Sequence, residues 1–412
     1  MKYGCIGEHL THSFSREIHS ALADYDYEIK EIPRDLLHDF MVKRDFSAIN
    51  VTIPYKELVI PYLHFIDEAA RAIGAVNTVV NRNGELYGYN TDFYGMSALL
   101  SHAGISVKGK KVAILGTGGT AKTAKAVAAS LSARETVTVS RSGRDGAVSY
   151  DELYKSHCDV DVIINATPVG MYPGIFGKAL ELSLLPKLSG VIDAVYNPLK
   201  TPLVLEAEAR EIAAEGGLYM LVAQAARASE IFTGGHFAEA ELDRVFEKIK
   251  REKQNIVLIG MPASGKSTVG ALLAKALNRE LIDTDALLVE KAGLSIPEIF
   301  KRHGEAAFRS LESEIVREIS AKAGVVIATG GGVPLKRENR DALAANGRFY
   351  FIDRPLACLI PTESRPLSST KEAIAQRYRE RYAIYTAAAD VKIDADCEAD
   401  EVAKRILEDF DA

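Results

Sequence analysis

The chain has 412 residues, 47% hydrophobic and 26% charged, with a formal net charge of −6. That length exceeds one ordinary core and suits two or three soluble domains, and the acidic balance gives no electrostatic footprint for nucleic acid. Four widely separated cysteines, Cys5, Cys158, Cys358 and Cys397, form no CxxC pair. Neither a zinc site nor a redox pair is therefore indicated, and a reducing, cytoplasmic setting is expected. The N-terminus meets Glu8 before any apolar core can form, and no apolar run is long enough to span a bilayer, so neither a leader nor a membrane span is expected.

Strand-like and helix-like runs alternate along the chain, which predicts α/β layers. Residues 1–100 read as a mixed α/β unit punctuated by polar groups. Ser13 and Ser15 follow the first strand, Thr52 and Lys56 lie in Asn50-Val-Thr-Ile-Pro-Tyr-Lys, Asn77 closes Gly74-Ala-Val-Asn, and Asp92 closes Asn90-Thr-Asp. Each has an ordinary alternative role. The serines suit helix N-caps, Asn77 suits a turn, and Lys56 suits the solvated surface.

Residues 101–220 open on Gly116-Thr-Gly118-Gly119-Thr-Ala, between the apolar run 112–115 and an alanine-rich helix expected at 121–132. Glycine permits the tight turn and the close approach of pyrophosphate, and the helix start offers free N–H groups. The next strand ends in Ser140-Arg141-Ser142-Gly-Arg144 rather than in an acid. Two guanidiniums and a hydroxyl suit a 2′-phosphate, which points to NADP(H) over NAD; Asp145 weighs the other way. A helical stretch over 220–248 follows, and the charged run 247–254 marks the boundary of a further domain, 254–412.

That domain opens on Gly260-Met-Pro-Ala-Ser-Gly265-Lys266-Ser267-Thr268 after the apolar run 256–259. Its backbone N–H groups suit phosphates, Lys266 the β- and γ-phosphates, and the Ser267 hydroxyl Mg2+ with ATP. The motif alone leaves kinase, ATPase and GTPase open. Asp283 and Asp285 end the next strand, Arg309 follows on a helix, Gly330-Gly331-Gly332 follows a further strand, Arg365 lies in a loop-like stretch, and Arg377 and Arg381 share a helix. A helix start enriched in acids and a tight glycine turn are the plain readings of the acids and of the triple glycine.

In order and identity, the motifs of residues 1–250 resemble the shikimate dehydrogenase family. Asn165-Ala-Thr167-Pro-Val-Gly170, Asp193-Ala-Val-Tyr196 and Leu221-Val-Ala-Gln224 add to the set, and the motifs of 255–410 resemble shikimate kinase. The resemblance implies a mixed-sheet substrate domain completed by helices around 220–248, a Rossmann-type NADP domain, and a P-loop kinase domain with a parallel sheet and a lid. It implies Lys56 and Asp92 as a catalytic pair. Ser13, Ser15 and Tyr196 would bind the substrate carboxylate, and Thr52, Asn77 and Gln224 the ring hydroxyls. Gly116, Gly118, Gly119, Arg141, Ser142 and Arg144 would bind NADP. In the kinase, Gly260, Gly265, Lys266, Ser267 and Thr268 would bind ATP, with Ser267 and Asp283 on Mg2+. Asp285 would sit by the reacting hydroxyl, Arg309 and Arg381 on the carboxylate, Gly330, Gly331 and Gly332 along the ring, and Arg365 on the phosphates.

The implied function is reduction of 3-dehydroshikimate by NADPH, then phosphorylation of shikimate by Mg-ATP, with small-molecule partners and neither nucleic acid nor membrane. Two departures stand out. Arg144 comes one place early for the family's 2′-phosphate motif, and residues 359–364 contain no basic residue where many kinases carry an arginine that stacks on adenine. Two alternatives remain: a kinase-like domain that only binds nucleotide or regulates, and a first half that takes quinate with NAD.

Overall fold

The computed structural model describes residues 1–10, 14–143, 146–361 and 370–411. The chain divides into two compact units, Met1–Ile249 and Lys250–Ala412.

The first unit contains two sheets. One comprises β1 (Tyr3–Gly7), β2 (Tyr27–Glu31), β3 (Ala48–Val51), β4 (Phe65–Ile66), β5 (Thr78–Arg82) and β6 (Glu85–Tyr89), in the order β2-β1-β3-β5-β6-β4. It is mixed: β1 pairs in parallel with β2 and β3, whereas β3, β5 and β6 pair antiparallel. The β5–β6 hairpin turns on Asn83-Gly84, both with positive φ (55° and 91°), the pair favoured by a two-residue hairpin because its twist matches the strands. The other sheet comprises β7 (Lys111–Leu115), β8 (Glu135–Val139), β9 (Val162–Asn165), β10 (Gly190–Asp193) and β11 (Ala213–Glu215), all parallel, in the order β11-β10-β9-β7-β8. β7 and β9 are fully buried and apolar apart from Lys111 at the start of one and Asn165 at the end of the other, as a sheet covered on both faces requires. The chain leaves β7 toward β8 and returns to the opposite side at β9. The crevice beyond the carboxyl ends of β7 and β9 is therefore the topological switch point at which such sheets bind ligands.

Helix Leu218–Thr233 packs along helix Asp92–His102, and a Cβ on Gly95 would sit only 2.7 Å from the Met220 carbonyl oxygen. That close approach brings the start of the earlier helix beside Gln224. The helix expected at 121–132 runs over Gly119–Ser130, starting within the glycine loop itself. Helix Glu239–Lys253 contains most of the charged run and buries Leu242, Val245, Phe246 and Ile249 on its apolar face.

The second unit holds one parallel sheet: β12 (Asn255–Ile259), β13 (Leu281–Asp283), β14 (Val326–Ala328), β15 (Gly347–Asp353) and β16 (Val391–Asp394), in the order β13-β14-β12-β15-β16. β12 is central and buried throughout, and the phosphate loop leaves its carboxyl end. Among the described residues no helix is long and apolar enough to cross a membrane.

Candidate active sites

In the first unit the polar motifs meet through backbone lacing. Val76 N–H donates to the Lys56 carbonyl at 2.8 Å, Asn77 N–H to the Tyr89 carbonyl at 3.0 Å, and Val51 N–H to the Asn77 carbonyl at 2.8 Å. Asn90 closes the set by donating to the Ala75 carbonyl at 2.9 Å and accepting from Phe93 N–H at 3.2 Å, which holds the start of helix Asp92–His102. Lys56 Nζ consequently meets Asp92 Oδ2 at 2.6 Å, although 36 residues separate them. Neither group faces open solvent, so their attraction is screened less than at a surface.

Beside this pair lies a buried polar string. Tyr27 donates to Asn50 Oδ1 at 2.6 Å, and Asn50 Nδ2 to Thr78 Oγ1 at 3.1 Å. Asn77 Oδ1 accepts from Thr78 Oγ1 at 3.1 Å and from Thr91 N–H at 2.7 Å, and Asn77 Nδ2 donates to Thr91 Oγ1 at 3.1 Å. Thr91 in turn donates to Gln224 Oε1 at 3.4 Å. Two of the ring-hydroxyl candidates, Asn77 and Gln224, are thus joined through Thr91. Thr52 is half-buried on the loop after β3. Ser15 opens helix Ser15–Leu22 next to Phe14, whose ring meets Tyr196 edge-on at 5.2 Å. The expected N-cap role falls not to Ser15 but to the Phe14 position, which makes no side-chain cap bond. Ser13 lies outside the described residues, as does Arg144.

The cofactor candidates line one cavity of about 1060 Å³ between the two sheets of this unit. Gly116, Gly118 and Gly119 form one wall with Thr167, the Ser140–Arg141–Ser142 turn forms the rim, and Lys56 faces the glycine loop. Gly116 has φ of 108°, and a Cβ there would stand 3.2 Å from the Ala166 carbonyl oxygen, so both conformation and space demand glycine. A Cβ on Gly119 would stand 3.7 Å from the Lys56 side chain. Lys122, early in the helix, pairs with Glu57 at 2.7 Å and links the glycine-loop wall to the Lys56 loop.

Asp193, fully buried at the end of β10, ties that strand end to its neighbours. It accepts from Asn165 at 3.0 Å, Val195 N–H at 3.0 Å and the Thr201 hydroxyl at 2.6 Å. Burial pushes its carboxyl up to about 6, and those three neutral donors pull against the rise.

In the second unit, Gly260 (φ 145°) and Gly265 (φ 92°) shape the phosphate loop, and helix Lys266–Leu277 starts directly after it with Ser267 and Thr268 in its first turn. Lys266, buried, donates to the Gly260 and Met261 carbonyls at 3.0 and 2.7 Å. Ser267 Oγ lies 2.5 Å from Asp283 Oδ2, while Asp283 Oδ1 accepts from Asp285 and Ala286 N–H at 3.0 and 3.2 Å. The plain reading of the two acids as an acid-rich helix start therefore holds, with Asp283 as the N-cap and Asp285 in the first turn, and it coexists with the approach of Asp283 to Ser267.

The triple glycine is not a positive-φ turn. Its glycines make room: a Cβ on Gly330 would overlap the Asp285 carboxylate, one on Gly331 would press on Pro262 at 3.0 Å, and one on Gly332 would overlap the Arg309 guanidinium. Arg309 donates from Nη1 to both oxygens of Glu312, at 3.0 and 2.9 Å. Arg381 Nη1 and Tyr385 Oη both donate to the Gly331 carbonyl, at 3.1 and 2.6 Å. Arg309, Arg381 and Asp285 thus converge on one glycine strip. Arg365 lies outside the described residues.

Sequence reasoning missed Glu312 and Tyr385, and it gave no role to Thr91 and Asp193, although both lie in motifs it quoted. A glutamate three places after an arginine on a helix reads as an ordinary solvated pair; only its burial, at 3% exposure, marks Glu312 out.

The match to known proteins is consistent along the chain. A family model described as the shikimate dehydrogenase substrate binding domain matches residues 5–79, and one described as shikimate kinase matches residues 262–411. The shikimate dehydrogenase (NADP(+)) of Clostridium perfringens (strain SM101) is 35% identical over 272 residues, covering 60% of this chain and 98% of that protein. Among solved structures, shikimate dehydrogenase 1 from Peptoclostridium difficile is 34% identical with a TM-score of 0.57, covering 60% of this chain and 98% of its own. The shikimate 5-dehydrogenase of Thermus thermophilus, solved in complex with NADP(H) and shikimate, is 26% identical with a TM-score of 0.54, covering 60% and 99%.

Proposed function

We propose a division of labour from one premise: the chain belongs to the shikimate dehydrogenase family and carries a shikimate kinase domain behind it. It is a bifunctional enzyme of the shikimate pathway, and its first unit reduces 3-dehydroshikimate to shikimate with NADPH. The observation that carries this reading is the Lys56–Asp92 pair at 2.6 Å, facing the glycine loop across one cavity.

The residues fit the cofactor. The glycine loop at the switch point lines the cavity, with open space where a Cβ at Gly118 would stand, and Arg141 and Ser142 stand at the rim. When bound, the nicotinamide supplies the hydride. Reduction turns the ketone oxygen into a hydroxyl, and that oxygen needs a cation and a proton as its charge grows. Lys56 offers both from Nζ, and Asp92, at 2.6 Å, keeps it aimed. Ser13, Ser15 and Tyr196 hold the substrate carboxylate; Thr52, Asn77 and Gln224 read the ring hydroxyls. The substrate domain spans 1–100 with help from 220–248, the cofactor domain 101–220, and the kinase 254–412.

In the kinase, Asp285 takes the proton of the 3-hydroxyl, Arg309 and Arg381 hold the carboxylate, and Gly330, Gly331 and Gly332 let the ring lie close. Lys266, the Gly260–Gly265 loop, Thr268 and Arg365 serve the phosphates of ATP. Ser267 and Asp283 are hard oxygen donors 2.5 Å apart, a pair that fits Mg2+. Ser267 and Asp283 would supply two of its ligands, and the nucleotide's oxygens and water the others. When bound, Mg2+ offsets charge on the β- and γ-phosphates. Small molecules are the partners; we place the enzyme in the cytoplasm, without nucleic-acid or membrane partners.

The test supplies purified chain with 3-dehydroshikimate, NADPH and Mg-ATP, and follows products by mass spectrometry. Shikimate 3-phosphate should appear when ATP is present and shikimate alone when it is not. Shikimate that stays unphosphorylated at high ATP would reduce the second unit to a nucleotide-binding module.

A further inference from the structure

The cofactor cavity has a second wall, opposite the glycine loop, made by Ile53, Pro54, Glu57 and Leu58 together with Arg34. Arg34 starts the short 3-10 turn Arg34–Leu36, directly after Pro33. The backbone just before it is held from both sides: Ile32 N–H donates to the Gly7 carbonyl at 2.9 Å, and the Ile32 carbonyl accepts the Tyr55 hydroxyl. Tyr55 is fully buried and immediately precedes Lys56. The base of Arg34 and the loop that carries Lys56 are therefore one piece of structure.

Cation supply in this cavity is uneven. Lys56, in the lining, is committed to Asp92 at 2.6 Å, and Glu57, also in the lining, holds Lys122 from outside it at 2.7 Å. Arg34 is exposed, lines the cavity and forms no ion pair among the described residues. On the facing wall Arg141 is likewise exposed at the rim. A phosphorylated dinucleotide brings several negative charges into this space, and guanidiniums are the side chains best shaped to meet phosphate oxygens.

We propose that Arg34 is a second phosphate-binding residue for the dinucleotide, closing on it from the substrate domain opposite Arg141. This rests on the cofactor reading of the cavity. Capture of one phosphate between two guanidiniums, one from each domain, draws the walls together. Because Arg34 shares its anchor with the Lys56 loop, a shift of Arg34 would carry that loop with it and would couple cofactor binding to the position of Lys56.

The experiment titrates the full chain with NADPH and with NADH, following nicotinamide fluorescence, for wild type, Arg34→Gln, Arg34→Lys and Lys30→Gln. Lys30 is an exposed lysine on the same domain, outside the cavity lining, so its variant removes the same charge and controls for the general field. Arg34→Gln should weaken NADPH about tenfold or more, Arg34→Lys should recover part of that, and Lys30→Gln should change it less than about twofold. NADH affinity should stay as in wild type, because the captured phosphate is the 2′-phosphate that Arg141 meets; equal weakening of both cofactors overturns capture of one phosphate between the two guanidiniums. Arg34→Gln that binds NADPH as tightly as wild type overturns the proposal, as does an equal loss in Lys30→Gln. Wild-type chain that binds neither dinucleotide sinks the cofactor reading and this proposal together.

Discussion

Lys56 and Lys266 both lie beside a glycine loop, and their surroundings differ in a way that matches two chemistries. Lys56 faces a carboxylate, Asp92, at 2.6 Å, whereas Lys266 donates to neutral carbonyl oxygens of its own loop at 3.0 and 2.7 Å. A lysine that lends a proton benefits from an acid that keeps it protonated and oriented, at the expense of net positive charge in the site. A lysine that attracts phosphate needs that charge near the nucleotide, and the carbonyl oxygens of its own loop orient it there. The buried acids repeat the contrast. Asp193 is held by neutral donors and titrates at about 6, while Glu312, also pushed upward by burial, is countered by the Arg309 guanidinium.

The largest effects should come from the lysines. Lys56→Met should lower dehydrogenase turnover by about a thousandfold, within the range lost with a proton donor and its charge, and leave kinase turnover within about twofold. Lys266→Met should do the reverse; initial rates of both half-reactions on each variant check this. A variant that removed both activities while staying folded would break the comparison.

Asp193 gives the next effect. Its folded value of about 6 lies above the ordinary 3.8, so the neutral acid is favoured by folding. The associated stability is complete below about pH 4 and is lost as pH rises through 6, amounting to about 3 kcal/mol. In Asp193→Asn, Oδ1 can keep its bonds from Asn165 and Val195 while the amide faces the Thr201 hydroxyl. Urea midpoints of the first unit from pH 4 to 7 should therefore fall in wild type relative to the variant. Parallel profiles would contradict the assignment.

Glu312→Gln should have a smaller effect and sharpen the second contrast. Arg309 keeps a neutral partner but loses its charged one, so the KM for shikimate should rise about tenfold with kcat nearly unchanged. Equal losses in kcat would mean that Glu312 acts on the reaction itself. Arg141→Ala should weaken NADPH more than NADH by about tenfold, read from the two KM values; equal losses would remove the 2′-phosphate from that rim.

Much of this architecture was legible because local patterns carry physical necessity. Buried parallel strands are short apolar runs, and phosphate loops need glycines between a strand and a helix. The phosphate loop placed Lys266 and Ser267 directly, since sequence neighbours define that site. The Lys56–Asp92 pair spans 36 residues, and motif order, through resemblance, brought it into view before geometry did. Thr91, Glu312 and Asp193 stayed hidden because their roles depend on burial and on partners from distant segments: Gln224 is 133 residues from Thr91. The triple glycine was legible as close approach, but that the approaching groups are Asp285, Pro262 and Arg309 required the fold.

The most direct test of two independent sites in one chain is complementation. Lys56→Met chain and Lys266→Met chain are each given 3-dehydroshikimate, NADPH and Mg-ATP, singly and then mixed. Neither alone should produce shikimate 3-phosphate at more than a trace, and the mixture should produce it freely, with shikimate passing between molecules. A mixture that remains inactive, although each variant retains its own half-reaction, would contradict the account.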